Sequence, residues 1–415
     1  MMHKTLQDYF EGVATKYLSA VDAELSKSNQ HEIGGLVSVG FKEFLGDSVE
    51  TKHFDCTCVY INDENDSPVV CQHSVSWYDS RRGNPRRSPE FRLYYKSNEV
   101  TELMSAGDFL LIAKMKDGSL LVVITPSEST IENQLRSIFQ IDDVTGRFKN
   151  SAVQGVELVF PVRMLLETIG LTFDDAEPDD EDYLRIILER FPDGFPSTKE
   201  FSAFAMETMS LSITPVEAPD EMLINGIEHE EYLFRIYERY LVKDRLLEGF
   251  CDDVDGFIRY SLSIQNRRKS RVGYAFENHL EEIFLANGLI FEQGRKAGKI
   301  TENKAKPDFI FPSFENYHSS EVSSGSLRML GAKTSCKDRW RQVLSEADRI
   351  EKKHLVTLQS GISIDQTNEM KDKNLQLVVP ASAQFAYTKD QKDWLYSLSD
   401  FIDEILDIQK SKKVD

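Results

Sequence analysis

The chain has 415 residues, 40% of them hydrophobic, and carries 49 Lys/Arg against 69 Asp/Glu for a net charge of −20. That length exceeds one compact core and implies roughly two or three domains. No apolar run approaches the length of a bilayer, and Met1-Met2-His3-Lys4 is not followed by a signal-type hydrophobic core, so the sequence reads as a soluble, non-secreted, cytoplasmic protein.

The first 170 residues are expected to be mixed structure with strands prominent. Phe109 to Ile112 and Leu120 to Ile124 flank a turn signal at Asp117-Gly118, which predicts a hairpin. Ile131, Leu135, Ile138 and Phe139 then follow helical spacing behind the cap-like Ser127 to Thr130. Between Asp174 and Asp182 stand seven acids and no base. Self-repulsion and the lack of apolar side chains mark residues 172–183 as a linker, although such a run also resembles phosphate and could occupy a basic cleft. The boundaries expected are therefore 1–171, a linker at 172–183, and a second domain at 184–415. Beyond the linker, Tyr183 to Glu189, Phe201 to Met209, Glu230 to Leu247 and Glu277 to Leu285 read as helices. Phe309 to Phe311, Arg328 to Ala332, His354 to Leu358 and Leu375 to Val379 read as strands, so the second domain is an α/β sheet flanked by helices.

Five cysteines, Cys56, Cys58, Cys71, Cys251 and Cys336, are an odd and scattered set, which argues against a disulfide framework and for a reducing compartment. His53, Cys56, Cys58, Cys71 and His73 have the chemistry of zinc ligands. Cys-x-Cys in a strand also puts both side chains on one face, where free cysteine is commonly buried.

A strongly acidic chain is ill suited on average to nucleic acid, because affinity comes largely from cations that neutralise phosphates. The average conceals the pattern. Residues 261–350 hold 15 Lys/Arg against 11 Asp/Glu, and residues 78–96 hold six against two. Two basic islands sit in an acidic protein, either as solvated faces or as sites for polyanions.

The second island contains the groups that carry chemistry. Asp308 opens an apolar strand, Lys333 closes the next, and Glu346 follows on a helix predicted over 338–350. On that helix Trp340, Val343, Leu344, Ala347 and Ile350 form an apolar stripe, with Arg339 and Glu346 on another face. An acid, a lysine and a second acid in this order can hold a hard cation beside a scissile phosphate: Asp308 and Glu346 as ligands of Mg²⁺, Lys333 to orient the attacking water and stabilise the phosphorane. Glu277 is a further acid able to help organise the site. Lys337-Asp338-Arg339 opens the same helix, where a donor, acceptor, donor triplet suits adjacent G·C pairs. The other reading is a capping aspartate between phosphate-binding bases. Asn266, Arg267, Arg268, Lys269 and Arg271 add backbone clamps, with Asn266 able to touch a base edge.

The segments Asn266 to Arg271, Lys306-Pro307-Asp308-Phe309, Tyr317-His318, Leu327 to Leu330, Lys333, Cys336 to Gln342, Glu346-Ala347-Asp348 and Val378-Val379-Pro380 together resemble the catalytic domain of EcoRII-type restriction endonucleases, over roughly residues 228 to 382. The resemblance implies a PD-(D/E)xK nuclease fold and a Mg²⁺-dependent cut of both DNA strands at a CCWGG or CCNGG-like site by a homodimer. It implies a bacterial or archaeal restriction-modification system with a cognate DNA methyltransferase. Asp308, Lys333 and Glu346 become catalytic, the second acid having migrated onto the following helix. Glu277 supports them, Tyr317 matches a tyrosine near the active site, and Lys337, Asp338 and Arg339 read the CC/GG pairs. Tyr232 supplies the aromatic of a pocket for flipped central bases, but Glu228 stands where that pocket has arginine. More weakly, residues 1–171 resemble the family's effector-DNA-binding domain, a mainly β, B3-like pseudobarrel. There Glu90 and Arg92 would read bases while Arg81, Arg82, Arg86 and Arg87 hold phosphates. From another class comes a catalytically silent, sequence-specific DNA-binding protein on a nuclease fold.

Overall fold

A computed structural model describes residues 5–23, 31–37, 41–47, 50–64, 67–82, 86–141, 144, 149–151, 158–171, 180–210, 212–297, 300–336 and 339–411. The chain divides into two compact units. The first comprises 1–173 with two short later stretches, 360–364 and 385–387; the second comprises 174–359, 365–384 and 388–415. Among the described residues no helix is long and apolar enough to cross a membrane.

The first unit is built on eight strands: β1 (Phe10–Tyr17), β2 (Glu32–Ile33), β3 (Lys52–Tyr60), β4 (Val69–Asp79), β5 (Phe91–Tyr94), β6 (Phe109–Met115), β7 (Leu120–Thr125) and β8 (Lys149–Ser151). Their order is β2-β5-β4-β3-β7-β6-β1-β8, antiparallel except for the parallel β3–β7 pair. The described ladder ends at β2 on one side and β8 on the other. Helices α1 (Leu6–Tyr9), α2 (Ala20–Ala23), α3 (Phe41–Leu45), α4 (Thr130–Ile138) and α5 (Phe160–Thr168) complete the unit.

The β6–β7 hairpin forms where the sequence places it, with Gly118 at φ +85° in its turn, a conformation that costs glycine little. Both faces of these strands are buried, so each reads as a continuous apolar run. Phe109, Leu111 and Ala113 join one core with Ile131, Leu135 and Ile138 of α4, while Leu110 and Ile112 join another with Trp77 and Leu93. The Ser129 side chain accepts from the Glu132 amide and caps α4. Cys56, Cys58, Cys71 and Cys336 are buried or half-buried and, like the exposed Cys251, unpaired. Cys56 and Cys58 share a face, with their sulfurs 3.5 Å apart. Among the described residues no group of three or more His, Cys, Asp or Glu is arranged to hold a metal, so the zinc reading of this strand pair is not supported.

The second unit holds helices α6 (Asp180–Arg190), α7 (Thr198–Thr208), α8 (Pro219–Glu248), α9 (Val254–Ala286), α10 (Gly294–Ala297), α11 (Phe314–His318), α12 (Trp340–Leu344), α13 (Ile364–Asp372), α14 (Lys389–Lys392) and α15 (Leu398–Ser411). They surround a four-stranded mixed sheet of β9 (Phe309–Phe311), β10 (Arg328–Lys333), β11 (Lys353–Thr357) and β12 (Leu375–Val378), in the order β12-β11-β10-β9. β9 is antiparallel to β10, and β10, β11 and β12 run parallel.

Two expectations are corrected here. Asp180, Glu181 and Asp182, read as linker, are the first turn of α6, where carboxylates face the positive end of the helix; residues 172–179 lie outside the described residues. The helix expected over 338–350 is only α12, five residues long. Trp340, Val343, Ala347 and Ile350 are buried as the stripe predicted, whereas Leu344 is only half-buried. The backbone leaves the helix at Ser345, however, and Ala347 adopts φ 52°. Apolar spacing reported the burial correctly and the helix length incorrectly.

Candidate active site

Asp308 lies just before β9, and Lys333 is the last residue of β10. Because β9 and β10 are antiparallel, with Leu330 opposite Phe309, the start of one strand and the end of the other meet at the same sheet edge. One oxygen of Asp308 accepts both the Lys333 ammonium, at 2.8 Å, and the Ala332 amide, at 2.7 Å. Gly331 sits between these groups and the helix behind them. A Cβ there would stand 2.9 Å from a methyl of Val343, so β10 and α12 approach more closely than a side chain would permit.

Glu346 occupies the turn two residues beyond α12. Its Oε2 is buried and has no hydrogen-bond partner among the described residues. Burial, and after it the charge of Asp308, pushes its carboxyl up to about 7, with Lys333 and Lys353 opposing. A buried carboxylate oxygen without a donor, near a second carboxylate held by lysine, is a set of hard oxygen ligands with unused capacity. Mg²⁺ fits such a set, since it commonly takes one or two protein carboxylates and keeps its remaining ligands as water.

The turn is held by contacts that the linear sequence did not signal. The Ala347 amide donates to Thr301 Oγ1 at 3.3 Å, the Asp348 amide to Glu302 at 3.2 Å and the Arg349 amide to the Tyr317 hydroxyl at 3.3 Å. Tyr317, 1% exposed, donates its hydroxyl to Glu302. Burial and that carboxylate raise its pKa far above the usual phenol range, so it keeps the proton that it donates to Glu302. Tyr317 thus forms part of the scaffold of this turn.

The family description "EcoRII C terminal" matches residues 234–402. The type II restriction enzyme EcoRII of Escherichia coli is 38% identical over 407 residues, covering 96% of this chain and 94% of that protein. This chain belongs to the EcoRII family of type II restriction enzymes. The type II restriction enzyme SsoII of Shigella sonnei is 28% identical over 127 residues, 29% of this chain and 41% of that protein. Among solved structures, metal-depleted Ecl18kI in complex with uncleaved DNA aligns with a TM-score of 0.43 at 18% identity, over 56% of this chain and 85% of that one. The protein is accordingly a site-specific deoxyribonuclease.

Other residues expected to serve this EcoRII-family enzyme are distributed more widely. Glu277 lies on α9, 3.5 Å from Arg295. Lys337 and Asp338 lie outside the described residues. Arg339, the exposed residue that precedes α12, donates to the Ser335 carbonyl and hydroxyl, both at 3.1 Å. Asn266 and Arg267 are exposed on α9, with the Arg267 guanidinium 5.4 Å from the Phe195 ring centroid. Arg268 donates to Glu238 at 2.8 Å, and Arg271, 7% exposed, pairs with Glu230 at 2.6 Å and with Glu231. Arg271 is therefore an internal tie between α8 and α9 in this structure instead of a phosphate clamp, because buried carboxylates demand a cation.

Tyr232 is also not where a base-stacking ring is expected. It is 6% exposed, with Tyr183 of α6 edge-on at 5.7 Å and its hydroxyl donating to Asp180 at 2.7 Å. Tyr183 and Asp180 of α6 thus pack against the ring and its hydroxyl.

In the first unit the basic island lies on and between β4 and β5, with residues 83–85 outside the described set. Glu90 and Arg92 hold each other at 3.0 Å, and Arg92 also reaches Glu32 at 2.5 Å. Arg81 pairs with Glu90, and Arg82 donates to Thr51 at 3.2 Å. Arg86 and Arg87 are exposed.

Proposed function

We propose that this enzyme hydrolyses both strands of double-stranded DNA in a Mg²⁺-dependent reaction at a CCWGG or CCNGG-like site, using Asp308, Lys333 and Glu346. The observation that carries the reading is the pairing of Lys333 with Asp308 at 2.8 Å beside the buried, donor-free oxygen of Glu346. When bound, Mg²⁺ supplies positive charge at the scissile phosphate and lowers the pKa of a bound water. The residues of the chain do the rest. Asp308 and Glu346 hold the ion, and Lys333, itself oriented by Asp308, points its ammonium at the attacking oxygen and the developing phosphorane charge. Glu277 supports the ligand set from α9.

Lys337, Asp338 and Arg339 read the G·C pairs from the segment leading into α12, so recognition and the metal ligand Glu346 share one short stretch of chain. Asn266, Arg267 and Arg268 contact the backbone. The first unit, taken as B3-like, binds a second copy of the site through Arg81, Arg82, Arg86 and Arg87 on phosphates and Glu90 and Arg92 on bases, and controls cleavage.

A near-palindromic site calls for two-fold symmetry, and a homodimer has a surface available for it. Leu246, Leu247, Val254, Phe257, Ile258 and Leu262, at the adjoining ends of α8 and α9, are 47–76% exposed, an apolar face that a second copy would cover. A cytoplasmic setting and a companion methyltransferase follow from the restriction-modification reading.

Digestion of plasmids of known sequence with and without Mg²⁺, followed by sequencing of the fragment ends, tests the reading in one step. Fragments ending at CC(N)GG sites, made only with the metal, are expected. Random ends, or cutting in chelator, would remove the proposed specificity or mechanism.

A further inference from the structure

We propose that Glu302 and Tyr317 are positioning residues that present Glu346 to the metal ion, through a lattice of hydrogen bonds to the backbone just beyond it. The inference rests on the assignment of Glu346 as a metal ligand. No donor holds the Oε2 of Glu346 among the described residues, so the direction of this side chain is set chiefly by its backbone. That backbone is a turn, and Ala347, the residue after Glu346, sits in the left-handed region at φ 52°, which a non-glycine residue keeps only when its surroundings impose it.

The surroundings do so with three consecutive amides. Those of Ala347, Asp348 and Arg349 are received by Thr301, Glu302 and Tyr317 at 3.3, 3.2 and 3.3 Å. The acceptors are themselves joined, since the Tyr317 hydroxyl donates to the Glu302 carboxylate that takes the Asp348 amide. The Arg349 side chain closes the lattice from the other side by donating to the carbonyls of Tyr317, Ser319 and Val322. The side chains of Glu302 and Tyr317 thus reach Glu346 through the backbone amides that follow it. Neither Glu302 nor Tyr317 needs to touch the ion for its loss to be felt there, in the way that outer partners of metal ligands tune affinity.

The experiment uses full-length enzyme bound to DNA carrying the site found by plasmid digestion. Ca²⁺, an oxygen-liganded divalent ion, is titrated calorimetrically, and single-turnover cleavage is followed separately across Mg²⁺ concentrations. Tyr317→Phe keeps the buried ring and removes only the hydroxyl; Glu302→Ala removes the acceptor, and Glu302→Gln retains one. Tyr317→Phe and Glu302→Ala are expected to weaken Ca²⁺ binding and raise the half-saturating Mg²⁺ by about tenfold. Metal-free DNA binding should stay at the wild-type level, any fall in unfolding temperature should be too small to account for the loss of metal affinity, and Glu302→Gln should recover most of that loss. Unchanged Ca²⁺ and Mg²⁺ dependence in both loss variants overturns the proposal. So does a loss that merely tracks a lower unfolding temperature or weaker metal-free DNA binding. Glu346→Ala separates the two levels: if it binds Ca²⁺ like the wild type, the ligand assignment itself fails, whereas a defect there beside normal Tyr317 and Glu302 variants removes only the positioning role.

Discussion

Lys333 and Asp308 are joined at 2.8 Å through the same carboxylate oxygen that takes the Ala332 amide. The strand end thus supplies two donors to one acid, and the lysine is aimed by the acid it assists. Removing either partner leaves the other misdirected within an otherwise intact sheet edge. Lys333→Ala and Asp308→Ala are each expected to lower single-turnover cleavage on the order of 10²–10³-fold or more while DNA binding in chelator persists. Cleavage at the wild-type rate by both variants would end the assignment.

The raised Glu346 carboxyl makes a pH prediction with a definite sign. Its folded value is about 7 against an ordinary 4.5, so between these values the folded state holds the proton more tightly than the unfolded state does. The contribution to stability is full below about 4.5 and is lost as pH rises through about 7. Metal-free wild type should therefore fall behind Glu346→Gln in unfolding temperature as pH is raised from 5 to 8, by on the order of a few degrees. Below pH 7 the Mg²⁺ needed for half-maximal cleavage should rise by up to about tenfold per unit of acidity, because the ligand must lose its proton to bind. Parallel stability curves for the two proteins would contradict the first expectation.

Arg271 predicts a stability effect rather than a DNA effect. It is 7% exposed and pairs with two carboxylates, Glu230 and Glu231, that are 0% and 6% exposed and are also met by His279 and Arg235, while its guanidinium lies 4.0 Å from the Phe234 ring centroid. Arg271→Ala removes the cation that both carboxylates share, leaving Glu230 with His279 and Glu231 with Arg235, and should cost about 3 kcal/mol in denaturant unfolding. Arg267→Ala, on an exposed stretch of the same helix, should leave stability nearly unchanged and weaken DNA binding.

Arg87 is exposed in the basic stretch that precedes β5. If it holds a phosphate, Arg87→Ala should flatten the plot of log affinity against log salt by about 0.9 for DNA bound by the first unit. A uniform drop in affinity with no change of slope would assign this arginine to something other than phosphate neutralisation.

The chemistry was more legible in the sequence than the scaffold around it. Asp308 and Lys333 were readable because strand ends are local: a charged residue bordering Phe309 to Phe311, and another ending Arg328 to Lys333, emerge at an edge whatever the rest of the fold does. Glu346 was readable as a residue but not as a geometry. The apolar positions 340, 343, 347 and 350 keep helical spacing, yet the chain makes a turn there, because Thr301, Glu302 and Tyr317 take its amides from 32 to 46 residues away. Spacing along a sequence records which side chains are buried and is blind to such distant acceptors. The same blindness explains Arg271 and Tyr232. Arg271 lies in a basic run that suggests contact with DNA, and Tyr232 carries its role only through the family resemblance; each is held inside its own unit by partners far along the chain, Glu230 and Glu231 in one case and Asp180 and Tyr183 in the other.

At Gly331 the clearance between β10 and α12 is too small for one methyl group, since a Cβ would approach Val343 to 2.9 Å. The strand delivers Lys333 and the helix leads into Glu346, so the separation of the proposed water-orienting cation from the proposed metal ligand is gauged by a hydrogen atom at a position with no chemistry of its own. An added methyl there would act as a shim, leaving every reacting group in the protein and altering only the span across which they must cooperate.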